Sequence, residues 1–352
     1  KIIVGTLQNT AGDDLFEVER SLEDALADNQ YRFAEGAEIK EVQVDGVFEQ
    51  IQITGDESNN TLIVNDPDGE VQVGDEVITV GTFEGQVTLD NQGNSAADIE
   101  HYIVTLADSG ALTVLIQETG ATDDNNKLVV LGTLQDDEVN FGNESISATS
   151  ASAAGATSIT YQNIDHLDIN TSGGEDTFIL DRSDKTAQLL GTLTENTISG
   201  FEIPAATTFA YYELENLDIL LGAGNDIVNV QGTSASTTLQ LNEGDDYVFV
   251  SSLADFNATN AATTTTLTGT LDAVSGDLLV NPGVGNSTLM VSDEASFVDK
   301  SAIITEDVAD GLVDGADLSI IGLAAGRISL VDSNAADLSI HEIKIWAGSG
   351  ND

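Results

Sequence analysis

Short alternations of apolar and polar residues run through the chain, and each is followed by a turn rich in Gly, Asn and Asp. Leu217-x-Ile219, the turn Gly222-Ala223-Gly224-Asn225-Asp226 and then Val228-x-Val230 show the unit in its clearest form. Alternation with period two marks a strand with one buried face. The turn residues are those that accept positive φ or hydrogen-bond their own backbone. The pattern predicts an all-β protein. One stretch departs from it: Leu22, Ala25 and Leu26 follow Ser21 with Asp24 three residues on, which predicts a capped short helix within Glu19 to Asn29. Ser252-Leu253-Ala254-Asp255 occupies the same place in a later copy.

The alternations belong to a larger repeat, which decides the fold class before any single strand does. Thr6-Leu7-Gln8, Gly12-Asp13-Asp14 and Val18 recur as Thr238-Leu239-Gln240, Gly244-Asp245-Asp246 and Val250, an offset of 232. Asp45, Val47, Asn59, Thr61, Leu62, Val64 and Asp66 recur as Asp272, Val274, Asn286, Thr288, Leu289, Val291 and Asp293, an offset of 227. A middle copy, with Asp136-Asp137 and Thr177-Phe178-Ile179-Leu180, splits these distances. The boundaries fall at residues 1–98, 99–208 and 209–334, and 335–352 begin a fourth module. The first module lacks its opening turn and the last stops at Gly348-Ser349-Gly350-Asn351-Asp352, so the chain reads as a window on a longer array.

Within the third module Asp226 is followed by Asp246 after 20 residues, Thr288 after a further 42, Leu330 after 42 and Asp352 after 22. These steps are multiples of about 21, which predicts a parallel β-solenoid with coils of about 21 residues, each coil stacked on the last. The alternative is a string of β-sandwiches, since a module of about 110 residues is also sandwich-sized.

Composition narrows the function. Sixty-one Asp and Glu against ten Lys and Arg give a formal net charge of −51. That excludes nucleic acid as a direct partner, because affinity there comes from cations that neutralise phosphates. It also argues against docking on anionic lipid by a basic patch. A 41% hydrophobic content supplies a core despite the charge. The chain has no Cys, hence no disulfide scaffold and no Cys-ligated metal, and no apolar run long enough for membrane insertion.

The sharpest motif is Gly-x-Gly-Asn-Asp-x-Φ-x-Φ at Gly222 to Val230, truncated at Gly348 to Asp352. Related turns are Gly12-Asp13-Asp14, Gly173-Gly174-Glu175-Asp176 and Gly244-Asp245-Asp246. They resemble the hemolysin-type, repeats-in-toxin calcium-binding motif, Gly-Gly-x-Gly-x-Asp-x-Φ-x. The larger module, with Tyr211-Tyr212-Glu213-Leu214-Glu215-Asn216-Leu217-Asp218-Ile219 running into its turn, looks like the repeats of giant microbial secreted or cell-surface proteins. The resemblance implies Ca²⁺, which takes six to eight oxygen ligands, held by Asp13, Asp14, Asp136, Asp137, Glu175, Asp176, Asn225, Asp226, Asp245, Asp246, Asn351 and Asp352. Stacked turns in that family share an ion between coils, which makes Asp226 with Asp246 the leading pair. The family's turns recur every nine residues in tandem, whereas these recur about every 21 and several have drifted, as at Asn59-Asn60 and Asn286-Ser287. Isolated ions rather than a continuous ladder are the expectation. The competing reading is that Asn-Asp and Asp-Asp make only side-chain turns between strands, and a further one is that the acidity is halophilic.

Catalysis finds no support in the pattern. His101, His166 and His341 each sit in the lead-in strand of a module or sub-module, so they read as scaffold positions. Carboxylate pairs are so abundant that none is diagnostic of a glycosidase. The few cations, among them Arg20, Arg32, Arg182 and Arg327, form no cluster for an anionic sugar. Sequons at Asn59, Asn143, Asn170, Asn257 and Asn286 permit glycosylation. The expected function is that of a structural or adhesive, non-enzymatic, extracellular or cell-surface repeat protein. It would be rigidified by calcium and would assemble with copies of itself into a filament, stalk, matrix or surface layer, with surface polysaccharide as a further partner through calcium. A carbohydrate-active β-helix enzyme is the alternative, as is a passive stalk that spaces an adhesive domain.

Overall fold

A computed structural model describes residues 17–20, 31–34, 41–43, 50–53, 60–66, 76–80, 85–91, 100–107, 111–118, 126–142, 144–150, 156–203, 208–306, 318–331 and 340–349. Contacts divide the chain into two compact units, Lys1–Asp176 and Thr177–Asp352. The boundary falls inside the second of the predicted modules.

The first unit opens with β1 (Glu17–Arg20) and β2 (Tyr31–Ala34), paired antiparallel. There follow β3 (Glu41–Gln43), β4 (Gln50–Ile53), β5 (Asn60–Asp66), β6 (Glu76–Val80), β7 (Gly85–Asn91), β8 (Glu100–Thr105), β9 (Leu112–Glu118), β10 (Lys127–Leu131), β11 (Asp137–Phe141), β12 (Ser145–Ser150), β13 (Ala156–Gln162) and β14 (His166–Asn170). From β3 onward successive strands go to alternate sheets. One sheet stacks β3, β5, β7 and β9 in parallel, and the other stacks β4, β6, β8, β10 and β14 in parallel. The antiparallel excursion β11–β12–β13 interrupts the alternation and returns to pair in parallel with β9.

Parallel register turns the alternation into columns. Tyr102, Leu128 and Leu167 are Cα partners on β8, β10 and β14, as are Val104, Val130 and Ile169, and all six are buried. Each such side chain removed from water contributes roughly 1.5–3 kcal/mol. On the same strands His101, Lys127 and His166 stand in register near the strand start.

The second unit comprises β15 (Thr177–Asp181), β16 (Leu190–Leu193), β17 (Thr197–Gly200), β18 (Thr208–Tyr212), β19 (Asn216–Leu220), β20 (Ile227–Val230), β21 (Ser236–Gln240), β22 (Tyr247–Val250), β23 (Leu278–Asn281), β24 (Ser287–Ser292), β25 (Ile303–Glu306), β26 (Leu318–Ile321), β27 (Ile328–Leu330) and β28 (Ile340–Trp346). One sheet stacks β15, β19, β21, β23 and β27 in parallel, and the other stacks β16, β20, β22, β24 and β28. Phe178, Leu217, Thr237, Leu278 and Ile328 form one buried column, and Leu180, Ile219, Leu239, Val280 and Leu330 the next. Antiparallel excursions occur at β16–β17–β18 and at β25–β26–β27.

The strands β20 and β24 are buried at every position, unlike the alternating β19 and β21. The cause is the segment between β22 and β23. Its Ala254, Ala261 and Leu267 cover Ile227, Phe249 and Met290, with Tyr247, Phe256 and Trp346 packed at the margin. Phe256 stacks on Phe249 with ring centroids 4.0 Å apart. Asn229 pins the segment from beneath, its side-chain amide donating to the Phe256 carbonyl and its Oδ1 accepting the Phe256 N–H.

These pairings correct two expectations. The tandem β-sandwich alternative fails, because such sandwiches are built of antiparallel sheets whereas both sheets of each unit pair mainly in parallel. The uniform coil of about 21 residues also fails. Tyr247 follows Ile227 by one layer, at 20 residues, but Thr288 is the direct partner of Tyr247, at 41. That longer step is one layer plus the covering insertion, not two coils. Elsewhere single layers take 39 residues, from Thr177 to Asn216, or 24, from Val77 to His101. Glu19 and Arg20 belong to β1, the rest of the expected helix lies outside the described residues, and Ser252-Leu253 form a turn. The sequence repeat is visible in backbone geometry: Asn163 and Glu213, in matching Tyr-x-x segments, both adopt φ of 55°.

Candidate functional site

The turn motifs place paired polar residues at the entrance of parallel strands. The Gly that precedes most of these pairs is fixed by the approach of the neighbouring layer. Gly244 has φ of 143°, and a Cβ there would lie 2.0 Å from the carbonyl oxygen of Gly224. Gly285 repeats this one layer on, with φ of 150° and a distance of 1.8 Å to the Gly244 oxygen. These glycines are required by stacking alone.

Each pair consists of an exposed outer residue followed by a buried inner one. In the second unit the pairs are Asn225-Asp226, Asp245-Asp246 and Asn286-Ser287; in the first they are Asp136-Asp137 and Glu175-Asp176. Asp137, Asp176, Asp226 and Asp246 are all buried. The structure thus brings Asp136 and Asp137 against Glu175 and Asp176, and Asn225 and Asp226 against Asp245 and Asp246. Asp13, Asp14, Asn351 and Asp352 lie outside the described residues.

The inner carboxylates face main-chain donors. Oδ1 of Asp226 accepts the Leu189 N–H at 2.7 Å, and Oδ1 of Asp246 accepts the Asp226 N–H at 2.7 Å. Oδ2 of Asp246 accepts the Ser287 hydroxyl at 3.3 Å. Oδ1 of Asp176 accepts the Asp137 N–H at 2.8 Å. Both oxygens of Asp137 are engaged by Thr133, through its N–H at 2.6 Å and its hydroxyl at 3.1 Å. A hydrogen bond between neutral groups contributes about 0.5–1.5 kcal/mol and one to an ionised acceptor about 1.5–3 kcal/mol.

Burial acts against the charge of Asp226 and Asp246. Desolvation raises Asp226 above the usual carboxylate range, countered in part by the amides of Leu189 and Gly222. Asp246 is pushed up to about 7, chiefly by burial, with the charges of Asp226 and Asp245 adding to it and the Asp226 amide and Ser287 hydroxyl opposing it. Oδ2 of Asp226 is buried without a hydrogen-bond partner, which a protonated or proton-sharing carboxyl tolerates better than an ionised one.

Asp293, just after β24, is a further buried carboxylate that meets a main-chain donor, and its recurrence from Asp66 was the available sequence signal. Its Oδ1 accepts the Leu271 N–H at 2.9 Å, and its Oδ2 pairs with Lys300 Nζ at 2.9 Å. Lys300 also pairs with Asp272 at 3.3 Å and donates to the Leu323 carbonyl at 2.8 Å. Here a lysine supplies the cation.

Calcium needs oxygens that converge on one point without donors aimed at it. At the stacked turns Oδ1 of Asp176, Asp226 and Asp246 each receives an N–H group whose positive end occupies one approach a cation would use. Among the described residues no group of three acidic or His side chains is placed to hold one ion. These hydrogen bonds give the described turn residues a role that does not require an ion shared between layers.

No protein-family model, no curated protein and no solved structure matches the chain. Among the described residues no helix is long and apolar enough to cross a membrane.

Proposed function

We propose that this chain is a structural, adhesive repeat protein of the extracellular space or cell surface, each unit being a segment of parallel β-solenoid, and that it works mechanically rather than catalytically. The observation that carries this reading is the delivery of successive strands to alternate parallel sheets, layer upon layer, in both units. Such stacking resists extension along the strands and is indifferent to the length of the excursions between them. The high negative charge keeps the surface soluble and free of nucleic acid.

The sheet edges support the reading that the chain assembles with copies of itself. Among the described residues β25 and β28 each lie at the edge of a sheet, and Ile303, Ile304 and Ile343 are exposed on them. An exposed apolar edge strand is a template for another chain. The test is antibody labelling of intact, unpermeabilised source cells with negative-stain microscopy of the shed material. Surface label on elongated assemblies is expected. Label that appears only after permeabilisation contradicts the reading.

A further inference from the structure

The two residues of each turn pair bond in opposite directions. The inner member accepts a main-chain N–H from the preceding layer: Asp246 from Asp226, and Asp176 from Asp137. The outer member accepts one from the following layer: Asn225 from Asp245 at 3.0 Å, and Asp136 from Glu175 at 3.0 Å. A third pair of layers repeats this, with Asp245 accepting the Asn286 N–H at 2.8 Å and Ser287 Oγ accepting the Asp246 N–H at 3.3 Å. Three pairs of layers, in both units and in both sheet positions, have the same reciprocal arrangement.

We propose that the adjacent Asx pair is a reciprocal clamp that sets the register between neighbouring layers, each member holding the amide that its neighbour's turn leaves without a main-chain acceptor. The main-chain ladder begins immediately afterwards: Tyr247 N–H donates to the Asp226 carbonyl at 2.9 Å and Thr288 N–H to the Asp246 carbonyl at 2.7 Å. In a parallel ladder the Asp226 N–H, one step earlier, would meet the carbonyl of residue 245. The side chain of Asp246 takes that place. A buried amide without an acceptor is costly, so a slip by one residue loses both bonds at each turn and also turns Val248 and Val250 away from the core face.

This assignment goes beyond the proposed mechanical role and holds wherever the protein resides. It needs acceptors of the right length at both positions, not charge. Asn286-Ser287 is such a pair, with no charge at all, and it is stacked on Asp245-Asp246. The clamp also gives the two positions different requirements. The inner one is buried and tolerates Asp, Asn or Ser; the outer one is exposed and needs Asp or Asn.

The test compares Asp246→Asn, Asp246→Ala and Asn225→Ala in the full chain by thermal melting and by hydrogen exchange of the amides of residues 226 and 245. Asp246→Asn is expected to keep the melting temperature or raise it and to keep residue 226 protected. Asp246→Ala is expected to lower the melting temperature by several degrees and to lose protection at residue 226. Asn225→Ala, at an exposed position that leaves the core intact, is expected to lose at least tenfold protection at residue 245 and little at residue 226. Asp246→Asn behaving like Asp246→Ala, or unchanged protection at residue 245 in Asn225→Ala, overturns the proposal.

Discussion

The N–H of Asp226 donates to the carboxylate of Asp246 one layer away at 2.7 Å, with both residues fully buried. Two acids adjacent in a column of stacked turns are thus held by an amide rather than forced apart. The same contact ties the titration of Asp246 to the stability of the stack.

Stability is expected to fall as pH rises through neutrality. The folded state holds the Asp246 proton up to about 7, against an ordinary value of 3.8. Between those values the folded state binds more protons than the unfolded one, so its advantage is full below the ordinary value and is lost as pH rises through about 7. Every tenfold difference in proton affinity between the two states corresponds to about 1.4 kcal/mol. Melts from pH 4.5 to 8.5 should show the decline, and Asp246→Asn should flatten it relative to the parent chain. An unchanged slope in that variant contradicts the assignment.

Gly244→Ala is expected to be strongly destabilising, because φ of 143° is strained for Ala and the added methyl meets the Gly224 carbonyl. Strain alone costs about 1–3 kcal/mol. Gly173→Ala is the control: nothing lies within 4 Å of a Cβ there, so its effect should stay within about 0.5 kcal/mol. Denaturant unfolding of the two variants separates them.

Lys300→Met should destabilise by about 3–5 kcal/mol by leaving Asp293, 1% exposed, as a buried charge without its cation. The double variant Lys300→Met with Asp293→Asn should recover most of the loss, since Asn can still accept the Leu271 N–H. A double variant no better than the single one would show that packing of the lysine stem, not charge, is the cause.

The strands were legible because their burial is local. Leu217 and Ile219 alternate with polar residues, and they lie on the core face of β19. The paired turn acids were legible as pairs, but not their chemistry, which depends on which amide the next layer brings opposite. The insertion between β22 and β23 was hidden, since its Ala254, Ala261 and Leu267 are too widely spaced to show a period. Its length, added to one layer, mimics two coils. Asp293 stayed unassigned because its partner Lys300 is a lone cation whose role appears only when the loop folds back.

The most direct measurement of the clamp is a thermal melt of the full chain at matched ionic strength in excess chelator, in millimolar Mg²⁺ and in millimolar Ca²⁺. Hydrogen-bonded turns predict three melting temperatures that agree within about 1–2 °C, a spread below 1 kcal/mol for a domain of this size. A rise of many degrees in Ca²⁺ alone would show that the turns are metal sites and would contradict the account.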